Sequence, residues 1–132
     1  MVIVDTTGCI DYLNGVQTPQ VGWLERELEY QRLGLTDLIL SEVLQGVRDE
    51  RQAAETRREL MKFEVFSTGG IELAVAAAQN YRALRAQGRI VRRTIDCWIA
   101  TFCLLNDYIL LHNDRDFDPF EQFLGLRVVN ED

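Results

Sequence analysis

Met1-Val2-Ile3-Val4-Asp5-Thr6-Thr7 opens the chain and decides how the rest is read. Val2 to Val4 is a β-branched run, too short for a helix and of the kind that fills a strand buried on both faces. Asp5 closes it. A carboxylate set directly against a core segment needs a partner, because burying an unpaired charge is costly. Thr6 or Thr7 can cap a following helix, Gly8 to about Leu13, so capping does not require Asp5. The first strand therefore ends on an acid whose placement local structure does not explain.

Working outward, the pairing of apolar segment and acid recurs three times. Glu42 interrupts the apolar stretch Leu38 to Leu44. Asp96 opens the helical segment Thr94-Ile95-Asp96-Cys97-Trp98-Ile99-Ala100, and Asp114 follows the run Tyr108-Ile109-Leu110-Leu111. Between these points helices alternate with strands. Thr18-Pro19 is an N-cap followed by proline at the first helical position, with Val21, Leu24, Leu28 and Tyr30 as the apolar stripe. Leu33 to Thr36 reads as a second strand, Asp37 as the cap of a helix running to about Val47, and Glu50 to Lys62 as a charged, exposed helix. Phe63 to Phe66 is a third strand. Gly69-Gly70 precedes a long helix whose stripe is Ile71, Ala74, Ala78, Tyr81 and Leu84, stopped by Gly88. Thr94 caps the helix of Asp96, Tyr108 to Leu111 is a fourth strand, and Arg127-Val128-Val129 is a short last one. This alternation predicts an α/β fold, a mostly parallel central sheet of four to five strands flanked by helices, as a single domain over residues 1–132.

With 47% apolar and 27% charged residues, the composition is that of an ordinary globular domain. No apolar run approaches the roughly 20 residues that span a bilayer, so no membrane association is expected. The opening segment lacks a basic region and carries an acid at once, unlike a signal peptide. Cys9, Cys97 and Cys103 are odd in number and form no C-x-x-C pair, which favours buried free thiols and a cytoplasmic location over disulfides or zinc. His112 is the sole histidine, which weakens any Ser-His-Asp or Cys-His scheme. A net charge of −7 speaks against a general nucleic-acid binder, though a net charge does not describe one groove.

In an open parallel sheet, ligands bind beyond the carboxyl ends of the strands. Asp5 and Asp114 stand at two such ends, Asp96 begins a helix that leads into a strand, and Glu42 lies a turn or so into the helix after the second strand. Two of them have a bland alternative, Asp96 as a partner of the helix dipole and Asp114 as a residue of the turn Asn113-Asp114-Arg115-Asp116, while Asp5 and Glu42 are harder to explain that way. Gathered at one edge, however, four carboxylates suit a hard cation, Mg²⁺ or Mn²⁺.

Four segments, in order, carry a family resemblance. They are Val2-Ile3-Val4-Asp5-Thr6-Thr7 with Ile10-Asp11-Tyr12-Leu13, Leu40-Ser41-Glu42-Val43-Leu44-Gln45-Gly46, Thr94 to Ala100, and His112-Asn113-Asp114-Arg115-Asp116-Phe117. The chain resembles PIN-domain proteins, and among them the ribonuclease toxins of the VapC family from VapBC toxin–antitoxin systems. Thr7 stands where serine is commoner, and Gly8-Cys9 where bulkier residues are often found. The resemblance implies a PIN-like fold and a Mg²⁺- or Mn²⁺-dependent endoribonuclease that hydrolyses RNA phosphodiester bonds with metal-activated water. It also implies a homodimer, neutralised by a cognate VapB-type antitoxin whose carboxy-terminal segment blocks the site. Carried over residue by residue, it makes Asp5, Glu42, Asp96 and Asp114 the catalytic set. Asp5, Asp96 and Asp114 would be the metal ligands, and Glu42 would position water or complete the outer shell. Thr7 and Asp116 are further candidates, and Arg92 and Arg93 are the contacts expected for RNA phosphate. Arg82 and Arg85 read as a solvated helix face, with Arg89 near it, and Trp98 and Phe102 as core residues in a stripe with Ile95 and Leu105.

Two other readings compete. A phosphohydrolase of the haloacid dehalogenase type wants a second aspartate two residues after the first, where this chain has Thr7. The other is a regulatory or binding module, either receiver-like, which has no use for Glu42 and Asp96 in apolar surroundings, or a PIN domain regulated through its partner with little nuclease activity.

Overall fold

The computed structural model describes residues 1–130 and makes the opening run a central strand. β1 (Val2–Val4) is buried along its length and lies between β2 (Leu33–Thr36) and β4 (Ile109–Leu111), with β3 (Glu64–Phe66) beyond β2. All three pairings are parallel, with Ile3 opposite Gly34 on one side and Leu110 on the other. Central parallel strands covered on both faces need continuous apolar runs, which Val-Ile-Val and Ile-Leu-Leu supply. The expected last strand shrinks to a fringe. Val128 forms a single parallel bridge to Leu110, held by Leu110 N–H to Arg127 O at 2.9 Å and Val129 N–H to Leu110 O at 3.0 Å.

The helices are α1 (Thr6–Leu13), α2 (Pro19–Glu27), α3 (Asp37–Gln45), α4 (Glu50–Leu60), α5 (Ile71–Ala86), α6 (Thr94–Asn106) and α7 (Asp118–Leu124), with a 3₁₀ turn at Arg115–Phe117. Ile39, Leu24, Leu60, Leu84, Ile99, Phe117 and Phe120 are fully buried in a core shared with Ile3, Val4, Leu35, Leu110 and Leu111 of the sheet. Each such side chain contributes roughly 1.5–3 kcal/mol by leaving water.

Strand order β3-β2-β1-β4 has a consequence for function. The chain builds outward from β1 through β2 to β3, then crosses to the other flank of β1 for β4. The reversal falls between β1 and β4, and a crevice opens at the carboxyl ends of strands where such a reversal occurs. Asp5 N–H donates to Leu111 O at 2.9 Å, so the ends of β1 and β4 are stitched together at that crevice.

Several local expectations shift. α1 begins at Thr6, with Asp5 as its N-cap residue and no side-chain capping bond, because both threonine hydroxyls are directed to carboxylates. α3 is capped by Thr36, whose hydroxyl accepts Ile39 N–H at 3.1 Å, and not by Asp37. Asp37 Oδ1 instead accepts Leu38 N–H at 2.9 Å and the Thr68 hydroxyl at 2.5 Å, which fastens the chain after β3 to the start of α3. Thr94 is the first residue of α6 and does not cap it. In α5 the buried face is Leu73, Ala77 and Leu84, while Ile71 is 85% exposed. Alanines lie on both sides of that helix, so their spacing fits either face. α2 stops at Glu27, leaving Leu28 and Tyr30 exposed beyond it. In α6 the buried side carries Asp96, Cys97, Ile99, Ala100 and Cys103; Trp98 and Phe102 are half-buried and Leu105 is exposed. Phe102 closes an aromatic group with Phe66 and Tyr108, at centroid distances of 5.7 and 5.9 Å.

Gly34 is required by space, with β2 lying between two neighbours. A Cβ there would sit 2.7 Å from the Phe66 ring and 3.1 Å from the backbone oxygen of Glu64. The backbone oxygen belongs to the paired strand and cannot step aside. Gly34→Ala should therefore destabilise the fold by about 1–3 kcal/mol, read as a lower urea midpoint, although alanine is ordinarily the better residue in a strand.

Candidate active site

Four segments bring their acids to the β1/β4 crevice. Asp5 leaves β1 in extended backbone (φ −69°, ψ 164°) and is 2% exposed. Its Oδ2 accepts the Thr7 hydroxyl at 3.1 Å, and the same hydroxyl accepts Asn113 N–H at 3.3 Å, so Thr7 ties the exit of β1 to the exit of β4. Burial pushes the Asp5 carboxyl up to about 7 and the nearby charge of Asp96 adds to this, against the pull of the Thr6 and Thr7 backbone N–H groups and the Thr7 hydroxyl.

Asp96 sits in the first turn of α6, also 2% exposed. Its carboxyl is raised to about 6, chiefly by burial, with Asp114 and Glu42 adding repulsion and Arg93 opposing it. Glu42 projects from α3, and its Oε1 accepts the Thr6 hydroxyl at 2.6 Å. Asp114 caps the 3₁₀ turn: Oδ1 accepts Asp116 N–H at 2.9 Å, while its own N–H donates to His112 Nδ1 at 3.1 Å. The His112 ring packs on Phe117 at 5.0 Å, which steadies that acceptor.

Two arginines precede α6. Arg93 reaches Asp96 Oδ2 through Nε at 3.0 Å, Asp114 Oδ2 through Nη2 at 3.0 Å and Glu42 Oε2 through Nη1 at 4.0 Å. Arg92 lies 3.6 Å from Asp116 Oδ1. Among the described residues, one oxygen each from Asp96, Asp114 and Asp116 lies within 4.8 Å of the others. This tightest group contains Asp116 where the sequence reading named Asp5. Asp5 lies outside that group but close enough to Asp96 for the two to repel. The cavity alongside, about 330 Å³, is lined in part by His112, Asn113, Asp114 and Arg115. A larger one of about 400 Å³, between Tyr12, Arg32 and Phe63, contains none of these acids.

All donors here are carboxylate oxygens, and the nearby histidine nitrogen is engaged by a backbone N–H. Oxygen-only donors crowded enough to raise one another's proton affinity suit a hard divalent cation. Arg85 and Arg89 turn elsewhere, their guanidinium groups over Tyr81 at 5.8 Å and Phe123 at 5.2 Å. Sequence reasoning took Thr6 only as a cap and did not foresee its hold on Glu42. The two residues are 36 apart in the chain, and no local pattern links them.

Comparison with known proteins agrees with this fold. A sequence model of the PIN domain matches residues 2–121. Curated relatives include the VapC ribonuclease Mb1587 of Mycobacterium bovis and ribonuclease VapC11 of Mycobacterium tuberculosis, each 26% identical over 132 residues and matched over 98% of both chains. Among solved structures, VapBC2 from Rickettsia felis bound to a promoter DNA fragment superposes with a TM-score of 0.79 at 18% identity, over 100% of both chains. VapBC-1 from nontypeable Haemophilus influenzae gives 0.76 at 19%, over 99% of this chain and 98% of that one. With its parallel sheet, its acids at the β1/β4 crevice and a family match over nearly its whole length, the chain belongs to the PIN domain family.

Proposed function

We propose that this protein is a Mg²⁺- or Mn²⁺-dependent endoribonuclease toxin held in check by a VapB-type antitoxin. The observation that carries the reading is the convergence of Asp5, Glu42, Asp96 and Asp114, from four separate segments, on one crevice with two carboxyls pushed towards neutrality. Relatives matched over the full length are named ribonucleases.

In this reading Asp5, Asp96 and Asp114 hold the cation, with Asp116 as a further oxygen donor. A divalent cation bound there supplies a Lewis acid that acidifies water and offsets charge on the attacked phosphate. Glu42, fixed by Thr6, orients the water on the α3 side of the crevice. Thr7 keeps Asp5 aimed and the two strand exits together. Arg92, on the rim, meets the RNA backbone, where cationic contacts provide most of the affinity. The substrate and the three buried thiols accord with a reducing cytoplasm. Among the described residues no helix is long and apolar enough to cross a membrane. A homodimer belongs to the same reading, supported by Ile71 and Val75, apolar and exposed at i, i+4 on α5.

Asp5→Asn or Asp96→Asn should lower RNA cleavage at least about a hundredfold while leaving the circular dichroism spectrum unchanged. Cleavage that persists in EDTA, or in both variants, would sink the assignment.

The raised carboxyls also set a pH dependence. Asp5 and Asp96 titrate higher in the fold than in the unfolded chain, where the ordinary value is 3.8. Their contribution to stability is therefore fully present below about 4 and is lost as pH rises through about 6 and 7. Metal-stripped protein should melt several degrees lower at pH 8 than at pH 5. Asp5→Asn should flatten that slope, and Mn²⁺ should restore the wild-type melting temperature at pH 8. A flat wild-type profile would contradict the assigned electrostatics.

Control by an antitoxin has its own readout. The cognate antitoxin, mixed in equimolar amount, should suppress cleavage, and a form lacking its carboxy-terminal segment should not. Equal suppression by both forms would exclude direct blocking of the crevice.

A further inference from the structure

Three carboxylate oxygens, one each from Glu42, Asp96 and Asp114, converge on one side chain. Thr6 occupies Glu42 Oε1, and Asp116 N–H occupies Asp114 Oδ1. The other oxygens, Glu42 Oε2 and Asp114 Oδ2, are the ones that face Arg93, together with Asp96 Oδ2. Three nitrogens of one planar guanidinium thus address acids from α3, α6 and the loop after β4. A fork of that kind is available to arginine and not to a compact ammonium group. Arg93 itself belongs to no packed element. It is the N-cap residue of α6 in extended backbone, it makes no capping bond, and its side chain is 53% exposed. The side chain can swing out by bond rotation alone, without disturbing a helix or a strand.

We propose that Arg93 is a built-in counter-cation that competes with the divalent cation for the acidic cluster and, once displaced, presents its guanidinium to the incoming phosphate. This rests on the reading above of the crevice as a cation-dependent nuclease centre. The guanidinium and the cation draw on the same oxygens, so occupancy by one excludes the other. The apparent affinity for the cation is then its intrinsic affinity reduced by the fraction of molecules in which Arg93 has swung clear. Arg93 stays tethered three residues from Asp96, so the displaced charge remains at the mouth of the crevice, where an RNA backbone needs a cationic contact. Loading the cation and readying the substrate contact become one event. A purely structural Arg93, there to hold the acids in register, makes the opposite prediction: its removal would disorder the cluster and weaken cation binding.

The test is a titration of Mn²⁺ into metal-stripped full-length protein, followed by calorimetry and by electron paramagnetic resonance of free Mn²⁺. The forms compared are wild type, Arg93→Gln, Arg93→Lys and, as a charge-matched control on the exposed face of α4, Arg57→Gln. Arg93→Gln should tighten Mn²⁺ binding about tenfold, as expected if the arginine holds the cluster in roughly nine molecules of ten. Arg93→Lys should tighten it less, and Arg57→Gln hardly at all. At saturating Mn²⁺, Arg93→Gln should cleave RNA with a raised KM. Unchanged or weaker Mn²⁺ binding in a folded Arg93→Gln overturns the proposal. If that variant fails to melt cooperatively, Arg93→Lys decides, again by whether binding tightens. A wild type that binds Mn²⁺ but cuts no RNA refutes the nuclease reading, while the order of affinities still judges Arg93. No Mn²⁺ binding in any form refutes both.

Discussion

Like charges gathered at the open end of a buried sheet repel one another, and the surroundings of the β1/β4 crevice are arranged to contain that repulsion. Two of the acids, Asp5 and Asp96, are almost wholly withdrawn from water, and burial outweighs every other influence on their protonation. An arrangement of this kind opposes folding at neutral pH and is tolerable only because neighbours hold each carboxylate in place. Those neighbours are two hydroxyls, the backbone N–H groups of Thr6, Thr7 and Asp116, and one guanidinium. Only the guanidinium carries a full positive charge, one against several acids. In the proposed reading, the attraction for a dication is thus a property of the folded chain and is absent from the unfolded one.

Consecutive threonines do much of the holding. Successive residues at the start of a helix point about 100° apart around its axis, as 3.6 residues per turn requires. Thr6 consequently faces α3 and Glu42, while Thr7 faces Asp5 and the loop after β4. Both are β-branched, with few χ1 rotamers, so these contacts cost little additional ordering. A serine could make the same bonds with a looser side chain.

How much of this could be read from the sequence follows from the range of the forces involved. The strands were legible because short β-branched runs bounded by acids and turns have few other uses. The sheet edge was legible because helix direction and strand polarity are coupled in parallel folds. Helix caps were less so: the hydroxyl of Thr6, Thr7 or Thr94 can bond a backbone N–H or a distant carboxylate, and only the packed chain decides. The face of α5 was ambiguous because alanine fits both a packed and an open side. Arg93 could be seen to lie near Asp96, but its reach to Glu42, 51 residues earlier, exists only once α3 and α6 stand side by side. Asp116 is similar, since its place beside Asp96 depends on the 3₁₀ turn that Asp114 caps.

The order of strands in the sheet bears on when the crevice comes into being. β1 is made first, yet its second neighbour, β4, is nearly the last element synthesised, and Asp114 follows it. Until residues 109–114 have joined β1, Asp5 has no opposing wall, Thr7 has no Asn113 to bond, and Arg93 lacks one of its acids. Pairings so distant in sequence also form slowly. A nascent or truncated chain without β4 therefore lacks an assembled crevice. The interval before the last parallel strand docks is one in which the acids already exist and their common edge does not, so the topology sets the moment at which the centre comes into being.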